Sequence, residues 1–328
     1  MNETRHTMTL VAGSDTVKEN SAILSEVIGQ QDVIKKLKFF VDSTSPTTPF
    51  PTMLFTGSQG LGKTYIAGKL AAALGRELVE VNCGTILTAS DFVEKILFNR
   101  VAGNTPKTLL LDEAHKLPSE VTTILLTLLN PNRSNRNLLP YNNIMIDYDL
   151  SQVNVVLATT DAHKIFKPLL NRCVEVYFQI YQDNDELFKV LKLYIPGIRV
   201  TCSRTDIAQA CRGRARDAFL LAQNIERYCI MRNTNTLNTA GWEELKSIFN
   251  IYPMGLRGHE ISLLRVISAS SPISCNNIAI RMGVQEENVE SEIEIRPREI
   301  GFVESTSKGR QLTAEGCRYL RKLDKIEV

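Results

Sequence analysis

The stretch Thr52-Met-Leu-Phe-Thr-Gly57-Ser-Gln-Gly60-Leu-Gly62-Lys63-Thr64 decides the fold. Its first residues make a short buried strand, and the Ala-rich run after it reads as a helix through Leu74. Between the two lies a complete G-x-x-x-x-G-K-T pattern, in the strand–loop–helix context that marks a P-loop. The glycines let consecutive backbone N–H groups curl around phosphate oxygens, and the helix N-terminus adds a dipole that favours negative charge. Lys63 would reach the β- and γ-phosphates of a nucleotide, and the Thr64 hydroxyl would ligate Mg2+.

Outward from the loop, strand-like runs recur at Leu78–Val81, Thr108–Leu111 and Val153–Ala158, with helical segments between them. Strands alternating with helices predict an α/β domain with a parallel sheet covered on both faces. Upstream, Val33, Ile34, Leu37 and Val41 form a helical stripe, and the polar residues 1–20 read as a flexible lead. After about Phe178 the strands are expected to stop. Helices over Asp185–Tyr194, Thr205–Cys211 and Arg216–Met231 make a small helical unit. From Tyr252 three more helices (Glu260–Ser268, Cys275–Met282, Glu286–Ile295) precede a hairpin that turns at Ser307-Lys-Gly. That is the pattern of a winged helix-turn-helix. The expected domains are therefore 21–178, 179–252 and 253–328.

Composition narrows the class. The chain has 328 residues, 43% hydrophobic and 23% charged, with a formal net charge of +2. These fractions exclude wholesale disorder, and no apolar run is long enough to span a bilayer. The polar N-terminus does not read as a signal peptide, so a soluble, cytoplasmic chain is expected. Seven scattered cysteines with no C-x-x-C pair argue for buried thiols rather than a disulfide framework or a zinc site.

The next chemical signal is Leu109-Leu-Leu-Asp112-Glu113-Ala-His115. A buried strand ends here in paired carboxylates, at the sheet edge where open α/β sheets hold ligands. Asp112 would hold Mg2+ through water, and Glu113 would orient and activate the attacking water. His115 is either a polar structural contact or a coupling residue. Val155-Val-Leu-Ala-Thr-Thr160 is a strand ending in hydroxyls, and Thr160 would sense the γ-phosphate. Arg172 lies where it could meet a neighbouring subunit's phosphate as a trans arginine finger. Arg212, Arg214 and Arg216 open a helix of the helical unit, and any of them could close over the nucleotide.

With these residues in hand, the chain resembles the AAA+ ATPases and, within them, the RuvB-type motors of Holliday-junction branch migration. The likeness runs from about Ser21 to Leu320. It rests on Val27-Ile28-Gly29-Gln30, the P-loop, the Asp-Glu-x-His box, Ala158-Thr-Thr160, Arg172, and Arg212-Gly-x-x-Arg216-x-Ala. The C-terminal Ile295-Arg-Pro-Arg-Glu-Ile-Gly-Phe-Val-Glu with Thr306-Ser-Lys308-Gly-Arg310 narrows it further. The resemblance implies an ATP-dependent DNA helicase or branch-migration motor using ATP and Mg2+, working as a ring, a hexamer in this family. It places Ile28, Gly57, Gly60, Gly62, Lys63, Thr64, Tyr65, Tyr181 and Arg216 around the nucleotide. It singles out Arg216 as the second sensor and puts Lys308 and Arg310 on a DNA-touching wing, where the residues alone would also allow a solvated hairpin tip. The implied partners are DNA, as duplex or four-way junction, and a RuvA-like junction-binding protein, with no membrane.

The departures fall in named places. Glu19, Asn20 and Ser21 stand where the family has Arg-Pro-Lys, Asn130-Pro-Asn replaces an acidic position, and Ser305 replaces a second wing arginine. The segment 133–150, where the family docks RuvA through an apolar hairpin, is Asn-rich, with Leu138, Leu139, Ile144, Met145 and Ile146 as its apolar residues. Two other readings remain. A clamp-loader-like switch fits Ala158-Thr-Thr-Asp-Ala-His-Lys but ends in a helical collar rather than a wing. A DNA-binding adaptor would use ATP for assembly alone.

Overall fold

The computed structural model describes residues 21–45, 47–103, 105–130, 136–141, 144–149 and 152–325. The polar lead 1–20 and the asparagines 135, 142 and 143 lie outside the described residues. The chain divides into two compact units, one up to Tyr181 and one from Gln182.

In the first unit, α1 (Gln31–Asp42) buries Val33, Ile34, Leu37 and Val41, the four positions of the sequence stripe. Then follow β1 (Met53–Thr56), α2 (Lys63–Ala73), β2 (Glu77–Asn82), the π-helical α3 (Asp91–Val101) and β3 (Lys107–Asp112). After α4 (Ser119–Leu128) come a hairpin of β4 (Arg136–Tyr141) and β5 (Ile144–Asp149), then β6 (Val153–Thr159), α5 (Lys167–Leu170) and β7 (Val174–Tyr177). Five strands make one parallel sheet in the order β2-β3-β6-β1-β7.

The strand period of two sends alternate side chains to two separate cores. Leu54, Leu109, Leu111, Val155 and Leu157 pack with Phe92, Ile96 and Val121 on one face. Met53, Phe55, Leu110, Val156 and Ala158 pack with Leu37, Ile66 and Leu70 on the other. Burial on both faces is why these strands read as continuous apolar runs. Parallel pairing also aligns the carboxyl ends of β1, β3 and β6, and each ends in residues of chemical interest.

The second unit holds α6 (Asn184–Tyr194), α7 (Arg204–Ala210), α8 (Ala215–Met231) and α9 (Thr239–Ile248). The strands do not stop at Phe178: β8 (Arg199–Val200) pairs with β9 (Thr236–Leu237) in a two-residue parallel ladder. Next come α10 (Gly258–Ala269) and α11 (Cys275–Met282). The helix expected over Glu286–Ile295 is broken into α12 (Glu286–Asn288), a π-helical turn over Val289–Ile293, and α13 (Ile295–Glu299). Pro297 lies in the first turn of α13, where its missing N–H costs no helical bond. The wing is the antiparallel pair β10 (Val303–Thr306) and β11 (Gly309–Leu312), followed by α14 (Ala314–Asp324).

The lid helices and the winged helix lie in the same compact unit, joined by two ion pairs, of which one has a buried carboxylate. Arg212 Nη2 is 2.6 Å from Glu260 Oε1, and the Glu260 side chain is fully buried. Arg214 Nη2 is 2.6 Å from Glu299 Oε1. Leu256, Ile261, Leu264, Ile267, Phe302 and Leu320 supply the winged-helix core.

All seven cysteines are free; five are buried, while Cys173 and Cys317 are partly exposed. Burial pushes the Cys83 and Cys173 thiols up to about 12. No helix among the described residues is long and apolar enough to cross a membrane.

Candidate functional site

The loop after β1 needs its glycines for two different reasons. Gly57 has φ 138°, and a Cβ there would meet the Phe178 carbonyl oxygen at 2.5 Å. Gly62 has φ 93° and caps α2, with nothing within 4 Å of where its Cβ would stand. Lys63 is buried and donates to the carbonyls of Gly57 (2.7 Å) and Ser58 (2.8 Å), which holds its ammonium inside the loop. Thr64 is half-buried beside it, and Tyr65 points outward at 48% exposure. A glycine loop wrapped around an ammonium at a helix N-terminus, with a hydroxyl at the next position, fits a phosphate chain and its Mg2+.

At the end of β3, Asp112 and Glu113 part company. The Glu113 backbone takes φ 56°, ψ 42°, left-handed for a non-glycine residue, and its N–H donates to Asp112 Oδ1 at 3.0 Å. Such strain costs on the order of 1–3 kcal/mol and gathers at working sites. It turns the Glu113 side chain off the strand line, beside Lys116 (3.4 Å) and His115 (3.6 Å).

At the end of β6, Thr159 is buried and Thr160 exposed. Thr159 is the last residue of β6, which is buried on both faces, and Thr160 lies one residue past the strand at the carboxyl edge. Thr159 instead meets His115: Nδ1 to Oγ1 is 2.9 Å. Sequence reading singled out the hydroxyls and the histidine without pairing them, because the contact joins residues 44 apart. The Tyr181 hydroxyl donates to the Ile28 carbonyl at 3.0 Å, so those two positions do meet. Beside them Gln30 and Gln179 exchange two hydrogen bonds that close the Val27–Gln30 segment onto the chain after β7. Gln179 carried no sequence signal. Arg172 follows α5 and reaches Asn130 Oδ1 at 3.5 Å.

In the second unit the three candidate arginines separate. Arg212 and Arg214 are taken up by Glu260 and Glu299, whereas Arg216 is exposed at the start of α8 and forms no ion pair among the described residues. The wing residues separate too. Lys308 is exposed at the hairpin tip. Arg310 turns back: its Nε is 3.0 Å from Glu294 Oε2, and its Nη2 is 2.7 Å from Glu290 Oε1. Hydrogen bonding to Glu294, whose side chain is 1% exposed, raises the Arg310 pKa further. As placed, Arg310 is a structural partner of these carboxylates rather than an open phosphate contact. Glu286, Glu287, Glu290 and Glu292 are exposed on the segment that would enter a major groove, and they repel phosphates. In the β4–β5 hairpin Leu138 and Met145 are exposed at 57% and 60%, while Leu139 is buried.

Comparisons with known proteins match this geometry. Residues 53–180 match the model of the ATPase family associated with various cellular activities (AAA), and residues 253–321 match the RuvB C-terminal winged helix domain. Curated relatives named Holliday junction branch migration complex subunit RuvB include one from Orientia tsutsugamushi strain Ikeda. It is 27% identical over 316 residues, covering 91% of this chain and 93% of that protein. Another, from Campylobacter hominis, is 24% identical over 302 residues, covering 90% and 88%. Among solved structures, the Thermotoga maritima RuvB Holliday junction branch migration motor superposes with a TM-score of 0.72 at 22% identity, covering 91% of this chain and 96% of that one. With a central parallel sheet, a phosphate loop and a winged-helix ending all in place, the chain is a divergent RuvB-like member of the AAA+ ATPases.

Proposed function

We propose that the chain is an ATP-hydrolysing ring motor, a hexamer, that translocates DNA to drive Holliday-junction branch migration in recombination and repair. The observation that carries this reading is the convergence at one sheet edge of the Gly57–Thr64 loop, Asp112–Glu113 and Thr159–Thr160, in a chain that ends in a RuvB-type winged helix. In it, Lys63 steadies the β- and γ-phosphates and Glu113 orients water for in-line attack on the γ-phosphate. Thr160 hydrogen-bonds that water or the phosphate. Arg172 serves the neighbouring subunit's site in trans, and Arg216 reports nucleotide state to the lid. Ile28 and Tyr181 border the base. Thr64 and, through water, Asp112 would hold Mg2+, which would supply neutralisation of the phosphate charge.

On DNA the wing tip at Lys308 makes sequence-independent phosphate contact. Leu138 and Met145 on the hairpin give a RuvA-like partner a small apolar foothold. The hairpin wing also favours this reading over a clamp-loader-like switch.

The test is steady-state ATPase activity with no DNA, duplex DNA and a synthetic four-way junction, each with and without RuvA. Stimulation by the junction, with or without RuvA, is expected. Activity that no DNA changes would remove the motor reading, and absence of turnover would leave an adaptor that uses ATP for assembly.

A further inference from the structure

His115 occupies a position that the phosphate loop and the carboxylates do not explain. Its ring is nearly buried, with 10% of the side chain exposed, and it stands between two elements that must act together. On one side Nδ1 lies 2.9 Å from Thr159 Oγ1, at the end of β6. On the other, Nε2 lies 3.6 Å from Glu113 Oε2 and 3.9 Å from Asp161 Oδ2.

Thr159 Oγ1 accepts the Asp161 N–H at 3.0 Å and keeps its own proton to donate. When that proton is donated to Nδ1, the neutral ring carries its hydrogen on Nε2. That hydrogen faces the carboxylates. Each carboxylate has a lysine beside it, Lys164 at 3.1 Å from Asp161 and Lys116 at 3.4 Å from Glu113, and Glu113 is the nearer of the two to the ring. At 3.6 Å the Nε2–Glu113 separation is a few tenths of an ångström beyond a hydrogen bond, and contacts of this kind tighten when substrate binds. The ring has room to turn, because it borders a cavity of about 310 Å³ lined also by Ser119, Thr122, Lys164 and Phe166.

We infer that His115 is a positioning residue that ties the sensor end of β6 to the Glu113 carboxylate. The inference rests on the ATPase reading above and deepens it. Thr160 meets the γ-phosphate from the exposed side of the strand end, while its neighbour Thr159 grips His115 from the buried side. A shift of the strand end on engaging the γ-phosphate moves Thr159, and His115 carries the shift to Glu113. The carboxylate is then aligned for water only when a triphosphate is present. The left-handed backbone of Glu113 fits this role, since a strained residue is easily moved between two arrangements.

The experiment uses the full chain and four variants: His115→Ala, His115→Gln, His115→Asn and Thr159→Val. Turnover, affinity for a non-hydrolysable ATP analogue and melting temperature are measured for each. His115→Ala should lower kcat about tenfold to a hundredfold, the scale of a misplaced catalytic group. Analogue affinity should stay within about twofold. A Gln amide reaches the Nε2 position and so Glu113, whereas an Asn amide reaches only the Nδ1 position and Thr159. His115→Gln should therefore recover part of kcat and His115→Asn should not; Thr159→Val should fall in the same direction as His115→Ala.

A His115→Ala kcat within about twofold of the parent, or recovery by Asn equal to that by Gln, would overturn the inference. If His115→Ala does not fold, the Gln–Asn comparison decides alone. An inactive parent chain would instead refute the ATPase reading, and this inference with it. An active parent with a Glu113→Gln variant that has lost turnover keeps that reading and puts only the histidine at stake.

Discussion

Arg310→Ala separates two roles that one residue would otherwise blur. In the structure the guanidinium grips Glu294 through Nε (3.0 Å) and Nη2 (3.2 Å), and Glu290 through Nη2 (2.7 Å). Glu294 is 1% exposed, so the substitution leaves a buried carboxylate short of its bidentate partner. Removing one member of a buried pair costs about 3–5 kcal/mol. Two features reduce that here: Arg298 still reaches Glu294 at 2.9 Å, and Arg310 is itself 18% exposed. The exposed Glu290 contact adds only a few tenths of a kcal/mol. The expected loss is about 2–3 kcal/mol in the second unit, a fall in melting temperature of about 5–10 °C. Calorimetry of the full chain reads this directly, beside Lys308→Ala. Lys308 sits exposed at the tip, and its loss should weaken DNA binding while leaving the melt unchanged. An Arg310→Ala chain that melts within a degree or so of the parent and loses DNA affinity as much as Lys308→Ala does would refute the assignment of Arg310 to the fold.

Two further predictions concern the first unit. Gly57→Ala should abolish nucleotide binding and lower the melting temperature of that unit, because the new Cβ would meet the Phe178 carbonyl at 2.5 Å on a backbone with φ 138°; normal ATP-analogue affinity would count against the loop geometry. Asp91 is held down to about 2 by its hydrogen bond to Lys95 and by Thr88, so its ionised form is favoured in the folded chain. The stability it supplies is present above the unfolded carboxylate value of about 3.9 and is lost as pH falls through about 2. Acid titrations of parent and Asp91→Asn should diverge at neutral pH and converge towards pH 2, and parallel curves would contradict this.

Much of the first unit was legible because its signals are local. The stripe of α1 and the apolar runs of β1, β3 and β6 carry their periods within a few residues, and the P-loop carries its geometry in the spacing of glycines. The C-terminal hairpin was legible for the same reason, from a turn at Ser307-Lys-Gly. What escaped is set by partners distant in the chain. The short β7 and the β8–β9 pair exist only through neighbours supplied elsewhere. The π-helical turn that breaks the Glu286–Ile295 helix buries Val289 and Ile293, with Glu294 buried beside them. Arg212, Arg214 and Arg310 look like free cations until Glu260, Glu299 and Glu294 are brought against them. Those pairings leave Arg216, alone of the three lid arginines, without an ion pair among the described residues.

The same pairings bear on how such a chain would hold DNA. A winged helix that reads sequence presents a helix to base edges, with polar and basic groups on its approach. Here that segment presents Glu286, Glu287, Glu290 and Glu292 to solvent, and the nearest arginine on the wing neutralises two of the local carboxylates. In the proposed motor, phosphate contact would then fall to the exposed hairpin tip at Lys308. Each phosphate neutralised adds about 0.9 to the slope of log affinity against log salt, so one wing contributes a shallow dependence and a weak grip. Weak grips summed around a ring hold firmly, because linked sites rebind at high effective concentration, yet each can be released singly. A motor that steps along any sequence needs both properties. A measured salt slope steep enough to require many contacts per subunit would place the DNA elsewhere on the protein and remove the wing from the mechanism.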